Sequence, residues 1–268
     1  MVGGEARTAR VVWWKKRALA DPSSAAILEE LGRTLGRLGD AAGAAECHER
    51  LLVLRPDDPE ALFSSGVAAA ARGDLPKAIE RLATLHELSP SERDRGLAGF
   101  RPEARTLADL ALGRALATLG ADASTVAVLA KAADEASPDV PDVVRGDLDL
   151  ALGDALARTG DLPKAAIAWE RAAAIPAVAD LALPRRLWSA VRLEQAATAV
   201  GMLAARVREH GAGDEEVALA AWFARMRPAE AERLAGEVSD RRLAARSEEG
   251  RVGKECPYVC RSRWSPYH

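Results

Sequence analysis

The sequence predicts an all-α chain of stacked helical hairpins, an α-solenoid. Three observations predict it. A repeat of 34 residues can be counted position by position: Pro22, Pro56 and Pro90 are 34 apart, as are Gly32 and Gly66, Gly39 and Gly73, Asp40 and Asp74, Ala44 and Ala78, and Leu54 and Leu88. Gly-Asp pairs fall where one helix must stop and the next begin. The composition is 49% hydrophobic but only 4% aromatic, so the apolar residues are mainly Ala, Leu and Val. Ala and Leu are strong helix formers, and Ala lets helices approach closely.

Taken in chain order, Val11 to Ser24 is expected to be the second helix of a hairpin whose first helix is missing or atypical, which makes residues 1–24 a partial repeat. Residues 25–92 hold two full units, Ala25–Asp58 and Pro59–Glu92, in uninterrupted register. Gly32 and Gly66 fall in mid-helix, where Gly costs about 1 kcal/mol relative to Ala; close helix approach is the expected compensation. Gly39-Asp40 and Gly73-Asp74 end one helix and cap the next, since Gly tolerates the left-handed conformation and Asp accepts from the first amides. Pro56 and Pro90 stop the second helix.

Residues 93–178 are expected to hold a longer loop and two degenerate repeats. The polar, Gly-containing stretch from Ser89 to Pro102 is the loop. Leu112-Gly113 followed by Gly120, and Leu152-Gly153 followed by Gly160, repeat the seven-residue glycine spacing, and Gly-Asp-Leu-Pro-Lys-Ala occurs at both 73–78 and 160–165. The third unit departs by Thr125 at the small-residue position; the fourth keeps Ala165, Trp169 and Ala172. Residues 179–245 form a divergent helical part, with helices expected at Pro184–His210, Asp214–Arg225 and Pro228–Val238.

With Leu28, Leu31-Gly32, Leu35, Gly39-Asp40, Ala44, His48, Leu51 and Pro56 in the first unit, and Leu62, Gly66, Ala69, Gly73-Asp74, Ala78, Leu82, Leu85 and Pro90 in the second, the chain resembles the tetratricopeptide repeat (TPR) family. Ser65 departs from the pattern where a large apolar residue is usual, and His48 and Leu51 replace an aromatic and a small residue. The resemblance implies a right-handed superhelix whose first helices line a concave groove that binds a peptide or helix of a partner protein. Carried over position by position, the groove residues are Glu29, Arg33 and Arg37, then Phe63, Val67 and Ala70, then Arg114 and Thr118, then Asp154 and Arg158. Four arginines on one face suggest an acidic partner, because guanidinium binds carboxylate bidentately; solvated surface arginines are the plainer alternative. Family members that clamp a chaperone's C-terminal carboxylate need Lys and Asn where this chain has Glu29 and Arg33, so that partner is not expected.

Composition excludes other classes. A formal charge of −3 gives no footprint for nucleic acid. No stretch approaches the roughly 20 apolar residues of a membrane-spanning helix, and Met1 to Lys16 lacks a secretory pattern, so a cytoplasmic location is expected if Met1 is the true start. Arg outnumbers Lys heavily, which fits a bacterial, GC-rich source.

The C-terminal 23 residues, 246–268, break this composition. Both tyrosines and two of the three cysteines lie there, and the strings flanking Pro257 to Cys260 resemble a translated sequencing-library adapter. The tail is expected to be non-native. Without it the charge becomes −5 and Cys47 is the single cysteine, which cannot form an internal disulfide.

No catalytic, cofactor or metal residue is expected, and no small-molecule substrate. The sequence lacks His-Glu-x-x-His, Walker, Gly-x-Gly-x-x-Gly and Gly-x-Ser-x-Gly patterns. Cys47 and His48 are adjacent on a helix and point about 100° apart. Asp147 and Asp154 share a face but lack further oxygen ligands. Cys256, Cys260 and His268 fall short of the four ligands of a closed zinc site. Trp13-Trp14 cannot both face inward; the outward one either marks an interface with a preceding repeat or is ordinary surface exposure. The expectation is therefore a protein-interaction scaffold or adaptor. The alternatives are a regulatory repeat module of a larger bacterial kinase or transcription regulator, and an enzyme with its site in 179–240, a region that offers no nucleophile–base pair.

Overall fold

The computed structural model describes residues 2–210 and 214–229, and among these it contains thirteen helices and no strand. The chain divides into two compact units, Met1–Pro141 and Asp142–His268. Helices α1 (Val2–Ala20), α2 (Ala25–Arg37), α3 (Ala41–Leu54), α4 (Pro59–Ala71), α5 (Leu75–Glu87), α6 (Pro90–Leu97), α7 (Ala104–Thr118) and α8 (Asp122–Glu135) belong to the first unit. Helices α9 (Asp142–Arg158), α10 (Leu162–Ala173), α11 (Pro176–Arg192), α12 (Ala196–His210) and α13 (Asp214–Met226) belong to the second.

Four hairpins, α2/α3, α4/α5, α7/α8 and α9/α10, share one contact. A mid-helix glycine of the first helix faces a large residue sixteen positions later on the second: Gly32 and His48, Gly66 and Leu82, Gly113 and Leu129, Gly153 and Trp169. A Cβ on Gly32 would lie 2.6 Å from the His48 ring, on Gly66 2.7 Å from Leu82, on Gly113 2.5 Å from Leu129, and on Gly153 2.6 Å from Trp169 Cδ1. No methyl group fits at such distances, so glycine is required by space. His48 is buried with neither ring nitrogen hydrogen-bonded; burial lowers its pKa and keeps the ring neutral.

The hairpin turns are equally uniform. Gly39, Gly73, Gly120 and Gly160, each seven residues after the packing glycine, have φ between 73° and 88°. The next residue's amide donates to the carbonyl five residues back, as in Asp40 to Leu35 at 3.0 Å and Asp161 to Leu156 at 2.9 Å, which is the Schellman closure of a helix. Asp40, Asp74 and Asp161 then accept from the amides of Gly43, Lys77 and Lys164. Ala121 holds that place in the third hairpin and cannot cap with a side chain. There the departure Thr125 is fully buried and donates its hydroxyl to the Ala121 carbonyl at 2.9 Å.

In the first unit α1 packs Val11, Trp14 and Ala18 against Ile27, Leu31, Leu35, Ala44 and Cys47 of the first hairpin, the spacing of one helical face. Burial raises the Cys47 thiol pKa. Trp13 remains half exposed, its ring 4.8 Å from the Arg17 guanidinium carbon. The departure Ser65 is buried and donates to Glu49 at 2.6 Å, and Lys77 reaches the same carboxylate at 2.9 Å. Burial opposes the charge of Glu49, but these bonds outweigh it and hold the pKa below the ordinary value.

Two expectations are corrected. The segment expected as a loop from Ser89 to Pro102 contains helix α6, because Ser89 and Glu92 form a complete capping box with Pro90 at the helix start. The helix expected to begin at Pro184 is two helices, and Pro184 lies inside α11. Pro184 is buried within α11, and the start of that helix packs closely on α9, where a Cβ on Gly146 would meet both Val178 and Ile175. The helix expected at Asp214–Arg225 is α13; most of the one expected at Pro228–Val238, and the whole tail, lie outside the described residues.

Helices α11 and α12 close with the same turn as the four hairpins, though no glycine marks it. Gln195 N donates to Ala190 O at 2.7 Å and Glu194 to Val191 at 3.2 Å, and Glu194 takes the left-handed conformation with φ 61°. Seven residues before it stands Leu187, sixteen residues from Leu203; both are fully buried in the core shared by α11, α12 and α13. This is a fifth hairpin, with the packing glycine replaced by leucine. A non-glycine residue in this conformation costs about 1 kcal/mol, and Glu194 is exposed, so nothing else is lost on replacing it. Glu194→Gly should therefore raise the unfolding free energy by about 1 kcal/mol, measured by denaturant titration.

Candidate functional site

Within each unit the candidate face is formed by the first helices of its hairpins, and internal bonds claim part of it. In the first unit Arg33 of α2 grips Glu60 of α4: Nε lies 2.8 Å from both carboxylate oxygens and Nη2 2.5 Å from Oε2. Arg33 also reaches Glu29 at 2.6 Å and Glu30 at 3.1 Å. Its pKa is raised above the ordinary value, chiefly by the hydrogen bond to Glu60. Glu60 is itself buried, so this pair fastens one first helix to the next.

The second unit has a counterpart with the charges exchanged. Asp154, at the same place after its packing glycine as Arg33, accepts from Arg185 of α11 at 2.6 and 2.8 Å and from Trp169 Nε1 at 3.0 Å. Neighbouring Asp149 accepts from Arg171 at 2.9 Å. Glu29, Arg33 and Asp154 are thus each engaged in ion pairs within the fold.

Of the remaining expected residues, Arg37 and Arg114 are exposed, and Phe63, Val67 and Ala70 are half-buried on α4. Phe63 and Val67 pack against the core of Leu28, Leu62, Leu82 and Leu112 while keeping part of their surface open. Thr118 donates its hydroxyl to the Arg114 carbonyl at 2.8 Å. Arg158 is half-buried in the second unit. In the first unit α4, which carries the half-buried Phe63, Val67 and Ala70, packs against α7, which carries Arg114 and Thr118.

A family model for the tetratricopeptide repeat matches residues 29–92 and 144–182. Those two segments carry tetratricopeptide repeats. Among solved structures, YrrB, described as a TPR protein with an unusual peptide-binding site, aligns at 12% identity over 88% of this chain and 97% of its own, with a TM-score of 0.51. PilW, described as a type IV pilus biogenesis factor, aligns at 16% identity over 80% and 90%, with a TM-score of 0.49. TTC0263, a thermophilic TPR protein of Thermus thermophilus, aligns at 23% identity over 76% and 98%, with a TM-score of 0.36. No curated protein matches by sequence.

The matched segments skip the third repeat, yet α7/α8 keeps the Gly113–Leu129 packing and the Gly120 turn. What separates it from the second repeat is α6, and sequence reasoning missed the residues that seat this helix. Arg93 is 1% exposed; it donates to Glu135 at 3.0 Å and lies 3.7 Å from Asp109. Arg105 also binds Glu135, and His86 Nδ1 is 2.6 Å from Asp109. Burial opposes the Glu135 charge, but Arg105 and Arg93 outweigh it and lower the pKa. At its far end the insertion lays Phe100 edge-on against Phe63, ring centroids 5.0 Å apart at 72°. The capping pair Ser89 and Glu92, followed by a lone buried-type apolar residue at Leu97, was the available signal.

Among the described residues no cluster of His, Cys, Asp and Glu is arranged to hold a metal ion, and no helix is long and apolar enough to cross a membrane. Cys256, Cys260 and His268 lie outside the described residues. Cys47 and His48 face different neighbours: Cys47 packs toward α1, and His48 packs on Gly32.

If Arg33 and Glu60 fasten neighbouring repeats, a double-mutant cycle of Arg33→Ala and Glu60→Ala should return a coupling of about 1–2 kcal/mol in unfolding free energy. The partial exposure of Arg33 keeps it below the value for a fully buried pair. A coupling near zero would leave Arg33 available as a partner residue.

Proposed function

We propose that this chain is a protein-interaction module whose first unit binds a peptide segment or helix of a partner across α2, α4 and α7. The observation that carries the reading is the incompletely buried apolar strip Phe63, Val67 and Ala70, placed at the groove positions of a tetratricopeptide repeat. A partial apolar surface of this kind gives a partner side chain something to cover, and apolar burial is the main source of affinity. Arg37 and Arg114, exposed on the neighbouring first helices, supply positive charge for acidic residues flanking the apolar contact. Arg33 and Asp154 act within the fold in this reading, so the partner's acidity is a secondary preference and its apolar side chain the primary one. No catalytic step and no cofactor belong to it.

The reading is tested with peptides selected from a displayed random library on the wild-type chain. Their affinity is then measured for Ala70→Glu on the proposed face and for Val53→Glu on α3, which is 82% exposed. Ala70→Glu should weaken binding by about ten-fold or more, roughly 1.4 kcal/mol, and Val53→Glu should leave it unchanged. Recovery of no peptide, or loss confined to Val53→Glu, would contradict the proposal.

A further inference from the structure

The insertion between the second and third repeats is fixed firmly along its length and loosely at one point. Ser89 and Glu92 cap α6, Arg93 is buried against Glu135 and Asp109, and Leu97 is 6% exposed. Gly96 lies so close to Pro59 at the start of α4 that a Cβ would stand 2.5 Å from the proline ring. Beyond Leu97 the chain turns, the Phe100 amide donating to the Leu97 carbonyl at 2.9 Å. Ala98 and Gly99 in this turn are exposed, and a Cβ on Gly99 would meet nothing within 4 Å. The turn therefore carries one gripping side chain, the half-buried Phe100 ring resting edge-on against Phe63. After it, Arg101 is 87% exposed and Glu103 is buried again.

Phe63 is the largest residue of the apolar strip on which the binding reading rests, and the chain's own Phe100 covers it. We propose that Phe100 is an internal stand-in for an aromatic side chain of the partner: it fills the Phe63 contact when the partner is absent and yields it when the partner binds. This rests on the binding reading of the preceding subsection and names both the partner's recognised group and the regulation of the site. The chemistry favours an aromatic group, because edge-to-face contact between rings adds attraction beyond the area covered. The geometry allows exchange: the ring can leave by rearrangement of the exposed Ala98-Gly99 turn while Arg93, Leu97 and Glu103 keep their places. The competitor is covalently attached, so it acts at a high effective concentration and weakens every ligand that needs Phe63.

The probe is a fluorescein-labelled peptide of residues 96–103, followed by fluorescence anisotropy against the full chain. Phe100→Ala should bind it about ten-fold or more tightly than wild type. Adding Phe63→Ala should abolish the gain, and so should replacing the peptide's phenylalanine by alanine. Phe100→Leu, which keeps apolar bulk in the turn, should give an intermediate gain; it decides the matter if thermal unfolding shows that Phe100→Ala does not fold. Equal binding by wild type and both variants, or binding that survives Phe63→Ala, would overturn the proposal. Should the probe fail while library peptides still lose affinity on Ala70→Glu, the binding reading stands and the stand-in falls. Should library peptides ignore Ala70→Glu, the binding reading itself falls.

Discussion

The contact between a glycine of one helix and a large side chain sixteen residues later on the next is the constraint on which the rest of the structure depends. It recurs as Gly32 with His48, Gly66 with Leu82, Gly113 with Leu129 and Gly153 with Trp169. A single hairpin has too little interior to bury both faces, and stability comes from neighbours. Removing the first helix's side chain lets the second helix's residue enter the inter-helix space, so each hairpin becomes a slab thin enough to stack. A positive-φ glycine seven residues on fixes where the return helix begins. Together these two glycines set which side chains of the first helix point away from the hairpin and form its outer face.

That face is shaped as much by lateral ties as by open surface. Arg33 with Glu60, and Asp154 with Arg185, place a bidentate pair at the same repeat position with opposite polarity. Charge at this position therefore serves cohesion between first helices, and its sign is free to vary. The apolar positions of α4 cannot be used in this way. Phe63 and Val67 pack inward on the Leu62 and Leu82 core and keep part of their surface open, and Phe100 lies edge-on against Phe63.

The packing glycines and their turns were legible from sequence because space and backbone conformation leave few alternatives at those positions. The same reasoning failed where a different residue met the same demand. Glu194 adopts the conformation that glycine takes elsewhere, and Leu187 stands where a packing glycine would be, so the fifth hairpin carries no spelling of its own. Helix α6 has a local start signal in Ser89, Pro90 and Glu92, but the contacts that seat it, from the buried Arg93 to carboxylates on α7 and α8, join residues far apart in the chain. For the candidate face, position along the helix was readable: Phe63, Val67 and Ala70 keep open surface. Which charges were already engaged was not readable, because Arg33 and Glu60 are 27 residues apart and no local pattern joins them.

The central claim is that the packing glycines are required by the space the partner side chain takes. It is tested most directly by measuring unfolding free energies for Gly66→Ala, Leu82→Ala and the double variant. With Leu82 present, Gly66→Ala should destabilise, because overpacking of about 1–3 kcal/mol exceeds the gain in helix propensity. With Leu82→Ala in place the 2.7 Å contacts are gone and only Arg81 Cβ at 3.3 Å remains, so the same change should be at least about 1 kcal/mol more favourable than with Leu82 present. An effect of the same sign and size in both backgrounds would contradict the account.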